Sequence, residues 1–503
     1  MKKEICIASP CGMHWFNTPL TAELFGSAPM RPVARQPLWV CASFQEAGFS
    51  VSYLPLYDLY PVSADLHKEK EHITKMESDV LIISPEVLTS TTTYYSCGRL
   101  ASAYKEKNPS GTVVLSGYHA STLPEQTLEE LEVDVIAPYE LLLMGQGRML
   151  VEDLLEEREP TSRGVTFRGA DGRIHTQEPG PSVVEDLSTL PPPAYSLLLP
   201  WFKDISHDSP AWINLVTSRG CPFSCAYCSS IPSPQFRKIR FLSPESVERE
   251  IDKIQKTFGK AVCWEAVYDE FYAFDLDHVR RMNRVFKERD ILFSLVFGRC
   301  THFSNQIADV LTEHTKGIIF GAESCNQASL DAVNKTQSFQ DILTALKIAK
   351  EHDLTTVLQW IVGLPRETSA TIYQTLVTMN RLYTSGLCDR IDIQMLVPFP
   401  WTDIFENPAR YDLEILSRRW DEYNELGYYP VYRTDTLSRH QIWSYFLFAQ
   451  LSNIYARALR KNFPKDVYKA DIPEIIQYFN ETPEDLLKKA YVKTLFDMNG
   501  GRE

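Results

Sequence analysis

This sequence has no long apolar runs and no excess of positive charge, and its cysteines are scattered outside one short stretch. No uncharged apolar run reaches the roughly 18 residues of a membrane-spanning helix, so we predict no membrane span. The formal net charge is −14 over 503 residues, which argues against a protein that mainly grips nucleic acid. Residues 1–4 lead straight into a strand without a signal-peptide pattern. We therefore expect a cytoplasmic protein whose thiols bind metal or stay free.

Three cysteines do stand close together: Cys221, Cys225 and Cys228 have Cys-x3-Cys-x2-Cys spacing and follow a strand-like apolar run at 211–217. Thiolates are soft ligands that suit iron–sulfur clusters. A cubane cluster has four irons, so three thiolates leave one iron open to a small molecule. The alternatives are three unrelated thiols or a zinc site, but zinc favours a second short-spaced Cys or His pair, which the sequence does not show.

Strands alternate with helices through the first part of the chain, which predicts an α/β domain with a doubly wound, Rossmann-like parallel sheet over residues 1–150. We predict strands at 5–9, 51–55, 80–84, 112–115 and 133–136, and helices at 38–47, 95–107, 123–132 and 149–156. Such sheets bind ligands at the carboxyl ends of their strands. The candidate ligand-binding residues in those loops are Thr89, Ser90, Thr91, Ser116, Gly117, His119, Gly145, Gln146 and Gly147. A flavodoxin-like domain with no ligand, or with another one, is the alternative.

A connector and a barrel follow. Residues 151–211 contain a predicted hairpin at 164–177 and then closely spaced prolines, which indicate an extended linker. Six strand–helix units over residues 212–400 predict a partial, TIM-like (β/α)6 barrel, with its active site at the carboxyl ends of the strands. The predicted strands are 212–217, 262–268, 292–297, 317–321, 355–361 and 390–396, and the predicted helices are 244–257, 276–288, 305–313, 339–351 and 370–384.

The last region, residues 401–503, is predicted to be mainly helical, with helices at 410–426 and 439–461. The second of these helices has a wide apolar face. That face either packs on the barrel or forms a lid over a hydrophobic substrate.

The cysteine loop resembles the signature of the radical S-adenosylmethionine (SAM) enzymes. Residues 117–125 are similar to the Gly-x-His-Ala-x-x-x-Pro-Glu run of the cobalamin-binding domain in the cobalamin-dependent members, and residues 363–368 look like that family's Gly-Leu-Pro-x-Glu-Thr run. The resemblance spans roughly residues 5–405. It implies that a 4Fe-4S cluster on the three cysteines presents its open iron to SAM. Reductive cleavage of SAM would then give a 5′-deoxyadenosyl radical, and cobalamin would bind to the first domain.

The resemblance also implies ligand contacts. The residues implied to contact SAM are Tyr227, Asp269, Glu270, Arg299, Glu323, Ser324, Gln359, Gly363 and Leu396, and those implied to contact cobalamin are the nine loop residues named above. Asp269 and Glu270 have an alternative role as an acidic pair at a helix start, and Arg299 has one in a surface ion pair. Cys300 and Cys325 also end strands, so either could face the pocket instead of packing.

The chain departs from this family's pattern in the first domain. Residues 145–148 resemble a Gly-Glu-Gly-Glu run, but both acids are replaced and about six extra residues precede the run. The Asp-x-His-x-x-Gly motif that supplies a histidine to cobalt in many cobalamin proteins is absent after the first strand. His67 lies in a near match in which Lys70 replaces the glycine, and we predict it to be a solvated surface residue. We therefore expect cobalt without a histidine ligand, with His14 as the alternative.

The resulting functional prediction is a cobalamin-dependent radical SAM methyltransferase that acts on an unactivated carbon of a small molecule or peptide. An electron donor such as flavodoxin or ferredoxin is the expected partner, and the sequence identifies no catalytic side chain. The alternatives are a cyclase or ring-rearranging enzyme with the same cofactors, and a non-catalytic corrinoid or redox sensor. A methylthiotransferase is disfavoured because the first region lacks a second cysteine trio.

Overall fold

The computed structural model describes residues 4–10, 31–56, 78–86, 91–180, 183–203, 205–424 and 429–459. The strands are β1 (Glu4–Ser9), β2 (Arg31–Pro32), β3 (Ser50–Pro55), β4 (Val80–Ile83), β5 (Thr112–Ser116), β6 (Val135–Ala137), β7 (Thr166–Arg168), β8 (Ile174–Thr176), β9 (Ala211–Leu215), β10 (Ser218–Arg219), β11 (Arg240–Phe241), β12 (Val262–Val267), β13 (Leu295–Gly298), β14 (Gly317–Glu323), β15 (Thr355–Val362), β16 (Arg390–Met395), β17 (Leu413–Ile415) and β18 (Tyr432–Thr434). The helices are α1 (Arg35–Glu46), α2 (Tyr94–Lys107), α3 (Tyr118–Thr122), α4 (Pro124–Glu130), α5 (Tyr139–Leu142), α6 (Gly145–Leu155), α7 (Pro244–Phe258), α8 (Leu276–Glu288), α9 (Asn305–Leu311), α10 (Gln327–Ala332), α11 (Phe339–Glu351), α12 (Ser369–Thr384), α13 (Asp403–Glu406) and α14 (Arg439–Leu459).

The first sheet has the strand order β3-β1-β4-β5-β6-β7-β8, and its first five strands are parallel. All four residues of β4 are buried, as expected for a strand covered by helices on both faces. The predicted doubly wound sheet is therefore confirmed. We predicted the hairpin β7–β8 to be part of the connector. It instead pairs antiparallel with β6 and extends this sheet.

The second sheet is the predicted parallel barrel, and it has one more strand than expected. Its order is β16-β15-β14-β13-β12-β9-β2. The additional strand β2 comes from the N-terminal part of the chain and pairs with the start of β9. A two-residue strand that contains a proline has no periodic pattern, so the sequence could not reveal it. We call the part of the chain built around the first sheet the first unit. Because β2 leads directly into α1, the first unit is joined to the edge of the barrel.

Two buried ion pairs connect the first unit to the barrel. Arg35 at the start of α1 forms a bidentate pair with Glu250 of α7, at 2.8 and 2.6 Å. Arg240 of β11 pairs with Glu140 of α5 at 2.8 Å, and the two side chains are only 2% and 3% exposed. Glu140 also accepts a hydrogen bond from the backbone N–H of Val184. These contacts fix the carboxyl edge of the first sheet relative to the barrel mouth.

Removing one partner of such a pair leaves a buried charge without compensation. We expect Arg240→Met to destabilise the protein by about 3 to 5 kcal/mol. The midpoint of thermal unfolding measures the change. Arg148→Met, which breaks the exposed pair with Glu152, is the matched control and should cost less than about 1 kcal/mol. Equal shifts in the two variants would contradict the role of the Arg240 pair.

The prediction of a helix at 410–426 is wrong. Strand β17 in this stretch pairs antiparallel with β18, and Asp412 just before β17 has a φ of +52°, which a helix does not allow. Tyr411 and Leu413 are buried whereas Glu414 is exposed. This alternation is a strand signal that the helical interpretation overlooked.

Helix α14 is present as predicted as far as residue 459, and residues 460 and 461 lie outside the described ranges. The side chains of Gln450 and Asn453 donate hydrogen bonds to the backbone carbonyls of Ile393 and Ile391 in the edge strand β16. The helix is therefore packed on the barrel, which was one of the two interpretations of its apolar face. In the described ranges, no helix combines the length and apolar content needed to cross a membrane.

Candidate active site

The cysteine loop lies between β10 and β11, at the carboxyl end of β9. The N–H of Cys221 donates to the carbonyl of Phe236 at 3.0 Å, and the N–H of Ala226 donates to the carbonyl of Val333 at 2.9 Å. Cys221, Cys225 and Cys228 all line one cavity of about 350 Å³. Burial raises the pKa of Cys221 to about 11 and that of Cys228 to about 12, and the charge of Cys225 adds to both shifts. The three thiols are therefore close enough to interact, and metal binding would have to displace their protons.

This donor set fits an iron–sulfur cluster. Within the described ranges, no three His, Cys, Asp or Glu side chains converge closely enough to share one metal ion. Three soft thiol donors that line one cavity suit a cluster, in which each thiolate binds a different iron.

Gly220 is required at the start of this loop. Its φ is +106°, and a Cβ there would lie 2.6 Å from the backbone carbonyl oxygens of Phe236 and Lys238. A side chain is thus excluded both by the backbone conformation and by neighbouring atoms that cannot move aside.

We expect Gly220→Ala to lower the iron bound per chain after reconstitution, because the loop must shift to relieve the clash. The matched control is Gly259→Ala: its φ is +62°, but no atom lies within 4 Å of the position that its new Cβ would take. Both variants carry the backbone strain of about 1 to 3 kcal/mol, and only the first distorts the loop. Equal iron contents would show that crowding at Gly220 does not shape the site.

Asp269 and Glu270 hold the cysteine loop in place. Asp269 accepts hydrogen bonds from the N–H and hydroxyl of Thr217, at 2.7 and 2.6 Å, and from the hydroxyl of Ser218 at 2.7 Å. Glu270 accepts from the Arg219 guanidinium at 3.0 Å and from the N–H of Gly220 at 2.9 Å. Burial raises the pKa of Asp269 to about 6, although its hydrogen bonds oppose the shift. Both carboxylates line the cavity, but they accept these hydrogen bonds from the loop and the residues just before it. The sequence predicted either contact with SAM or an acidic pair at a helix start, and neither prediction included this role.

Glu323 ends β14 at a bulge in which it pairs out of register with β15. Its φ is +63°, which a non-glycine residue rarely adopts. Its carboxylate accepts a hydrogen bond from the Lys335 ammonium at 2.7 Å, and both side chains are less than 10% exposed. Burial, and next the charge of Glu323, raises the pKa of Tyr227 well above its usual range. Glu323, Lys335 and Tyr227 therefore form one polar group beside the cysteines.

Arg299 lies on the cysteine side of the cavity. Its Nη1 is 3.6 Å from Sγ of Cys225, and its guanidinium lies 3.9 Å from the ring centre of Phe223. Its Nη2 donates to the carbonyl of Lys335 at 2.9 Å and to the hydroxyl of Thr336 at 2.8 Å. It is 7% exposed, so the alternative of a surface ion pair does not apply.

The other predicted SAM residues divide into two groups. Gln359 and Leu396 line the cavity. Ser324 and Gly363 are not among its lining residues. Ser324 lies within 3.4 Å of the hydroxyl of Thr375, and the carbonyl of Gly363 accepts a hydrogen bond from Tyr432 of β18. The candidate thiols Cys300 and Cys325 do not line the cavity either.

The carboxyl edge of the first sheet carries buried hydroxyl groups that lack a partner among the described residues. Ser84 follows β4 and Ser116 ends β5, and within the described ranges neither hydroxyl has a hydrogen-bond partner. Beside them, Nδ1 of His119 lies 3.2 Å from the hydroxyl of Thr91. Burial lowers the pKa of His119 to about 3, so its ring is neutral. Unpaired hydroxyl groups at this edge fit a polar ligand such as cobalamin.

The glycine run 145–147 has other neighbours than these hydroxyl groups. Gly145 lines a separate cavity of about 400 Å³ together with Ser43 and Ala47, at the C-terminal end of α1. The backbone carbonyl of Gln146 accepts from Ser162, and a Cβ on Gly147 would lie 2.7 Å from Cα of Leu142. These contacts involve α1, α5 and the segment after α6, and none of them involves Ser84, Ser116 or His119. Four of the residues discussed from the sequence lie outside the described ranges: His14, His67, Thr89 and Ser90. Gly117 lies at the start of α3 with a φ of +112°.

The cavity also contains residues that the sequence interpretation did not select. Arg35, Gln36 and Glu86 come from the first unit, and Lys335 comes from the loop after α10. Glu86 accepts a hydrogen bond from the N–H of Gln36 at the start of α1, and burial raises its pKa to about 7. Residues of the first unit thus share one cavity with the three cysteines.

Comparison with known proteins identifies the domain that holds the cysteines. Residues 215–378, which include all three cysteines, match the family model described as the radical SAM superfamily. Residues 215–378 are therefore a radical SAM domain. An uncharacterised methyltransferase of Pyrococcus horikoshii is 26% identical to this protein, over 74% of this chain and 77% of the relative.

Two further similarities extend beyond the barrel. The anaerobic magnesium-protoporphyrin IX monomethyl ester cyclase of Rubrivivax gelatinosus is 24% identical over 95% of this chain and 82% of its own length. TsrM from Kitasatospora setae, a radical SAM methyltransferase solved with cobalamin and a [4Fe-4S] cluster, has a TM-score of 0.63 at 14% identity, over 91% of this chain and 89% of its own. The predicted resemblance to the cobalamin-dependent radical SAM enzymes is therefore confirmed at the level of the fold.

Proposed function

We propose that this radical SAM enzyme is a cobalamin-dependent methyltransferase that methylates an unactivated carbon of a small molecule or peptide. The observation that carries the proposal is the shared cavity, in which the three cysteines at the barrel mouth meet Arg35, Gln36 and Glu86 of the first unit. A reaction that uses two cofactors on two domains needs this continuity. When bound, the cluster, SAM and cobalamin would supply hydrogen abstraction and the methyl group.

In this proposal, the chain's own residues bind and orient the cofactors and exclude water from them. We propose that Cys221, Cys225 and Cys228 hold the cluster. We also propose that Ser84 and Ser116, whose hydroxyls have no partner among the described residues, bind cobalamin through them. On the SAM side, the proposed contacts are Tyr227, Glu323, Lys335, Gln359 and Leu396. The aromatic side chains of Phe223, Tyr268, Phe271, Phe297 and Phe399 form apolar walls that exclude water from a reactive intermediate.

The proposal also requires a source of electrons. A low-potential donor such as flavodoxin or ferredoxin would supply them to the cluster through the surface of the cysteine loop. The acidic net charge of −14 does not favour a nucleic-acid substrate.

A cyclase that uses the same cofactors is the second candidate. It is favoured by the extent of similarity to the anaerobic cyclase, which spans 95% of this chain compared with 74% for the methyltransferase relative. In that case the hydrogen abstraction would lead to ring closure, and the product would carry no methyl group from SAM.

The test is anaerobic reconstitution with iron, sulfide and hydroxocobalamin, followed by incubation with a reductant and SAM labelled with deuterium on its methyl group. We expect the protein to retain a corrinoid, to release 5′-deoxyadenosine and to form cobalamin that carries the deuterated methyl group, as read by mass spectrometry. None of these readouts requires the substrate to be known. A protein that releases 5′-deoxyadenosine but retains no corrinoid would refute the methyltransferase, and an unlabelled cyclic product would establish the cyclase.

A further inference from the structure

Arg299 lines the cavity and also contacts one of its cysteines. It follows β13, the strand beside β12 and β14, and its Nη1 lies 3.6 Å from Sγ of Cys225, within hydrogen-bonding range for sulfur. An arginine that only awaited a ligand carboxylate would leave its N–H groups facing the cavity. Instead, one end of this guanidinium points at the middle thiol of the Cys-x3-Cys-x2-Cys loop.

The geometry of Arg299 is fixed from three sides. Its Nη2 donates to the carbonyl of Lys335 at 2.9 Å and to the hydroxyl of Thr336 at 2.8 Å. Its plane lies over the ring of Phe223 at 3.9 Å, and Phe223 belongs to the cysteine loop itself. The side chain is almost fully buried, with an exposed fraction of 7%. A planar fork held in this way loses little entropy when it donates to the sulfur.

We propose that Arg299 is a positioning residue that donates a hydrogen bond to the Cys225 thiolate and thereby raises the reduction potential of the cluster. The inference rests on the proposed function, since it requires the cluster that the three cysteines would hold. It assigns Arg299 to the thiolate instead of to the SAM carboxylate.

The direction follows from electrostatics. The cluster gains one electron from a low-potential reductant and becomes more negative, while no bond to the protein is made or broken. A cation and an N–H donor beside a thiolate stabilise the more negative state more strongly, so they raise the potential. Burial strengthens the effect, because solvent does not screen the charge.

The experiment is an anaerobic redox titration of the reconstituted protein, followed by electron paramagnetic resonance of the reduced cluster. For Arg299→Met we expect the ratio of reduced to oxidised cluster at a given potential to fall about tenfold or more, the size of one charge-assisted hydrogen bond. For a one-electron couple, each tenfold change equals about 59 mV. Arg299→Lys keeps the cation without the planar fork and should give an intermediate ratio.

The matched control is Arg289→Met, which removes the same charge from the C-terminal end of α8, where Arg289 pairs with Asp252 and does not line the cavity. Its ratio should equal that of the unchanged protein. If Arg299→Met binds less iron, Thr336→Val is titrated instead, because it removes one fixing bond and should shift the ratio in the same direction by a smaller amount.

The outcomes separate the two proposals. An unchanged protein that binds no cluster would refute the proposed function. An unchanged protein with a full cluster, whose potential is the same in the Arg299→Met or Thr336→Val variant that retains its iron, would refute only the role of Arg299. A shift of equal size in Arg289→Met would show a general effect of net charge and would also overturn this inference.

Discussion

Cys225→Ala is expected to abolish the cluster absorption of the reconstituted protein and to lower SAM cleavage more than about 100-fold. The loss should exceed the roughly 10- to 100-fold cost of removing a residue that only supports a metal ligand. Cys225 is the middle thiol of the loop, and it lines the same cavity as Cys221 and Cys228. With two thiolates left, a second iron would lack a protein ligand, and the open iron would no longer be unique. The measurements are the visible absorption spectrum, the iron content and the yield of 5′-deoxyadenosine.

Cys263 provides the matched control for this substitution. It is half-buried on β12, in the same barrel sheet, and it does not line the cavity. Cys263→Ala should therefore keep its cluster and its SAM cleavage, with at most a modest loss of stability. Cluster absorption that persists in Cys225→Ala, or that is lost equally in Cys263→Ala, would refute the assignment of the three ligands.

The barrel was predictable because its signals are local. Helices α8 and α11 match the predicted ranges 276–288 and 339–351 to the residue. Asp275 caps the first of these helices, and Ser338 with Asp341 forms a capping box at the second. The cysteine loop was predictable for the same reason, since its three thiols lie within eight residues of sequence.

The contacts between distant segments were not predictable. The roles of Asp269 and Glu270 depend on a segment about 50 residues earlier, and Lys335 reaches the cavity from the loop after α10. Composition and periodicity carry no information about such pairings. The same limit applies to β2, whose two residues extend a sheet built from residues 211–395.

The misplaced glycine run shows a different limit. Residues 145–147 were assigned to the ligand edge by similarity to a motif, although about six extra residues precede them. Those residues form α5, whose Glu140 is tied to Arg240 across the interface with the barrel. Because the segment before the run makes a structural contact of its own, similarity to the motif alone does not establish the position of residues 145–147.

The second large effect is expected at the pair of Glu323 and Lys335. Glu323→Gln removes the negative charge but keeps the side-chain shape, and it leaves the Lys335 ammonium buried without a charge partner. Burial by itself would lower the pKa of Lys335. Its pKa is nevertheless raised above the usual value, chiefly because of the charge of Glu323. We expect a loss of about 3 to 5 kcal/mol in stability. Under the proposed function, we also expect SAM binding to weaken about 10- to 100-fold, the worth of a hydrogen bond to a charged group.

A double variant separates the contribution of Glu323 to folding from its contribution to binding. Glu323→Gln combined with Lys335→Met removes both charges, so no uncompensated ion remains in the barrel, and most of the lost stability should return. SAM binding, measured by equilibrium dialysis on the reconstituted protein, should stay weak because the contact residues are still missing. If the double variant recovers stability and binding together, then the pair only supports the fold. If Glu323→Gln binds SAM normally at reduced stability, Glu323 does not contact SAM, and the site must instead depend on Tyr227 and Gln359.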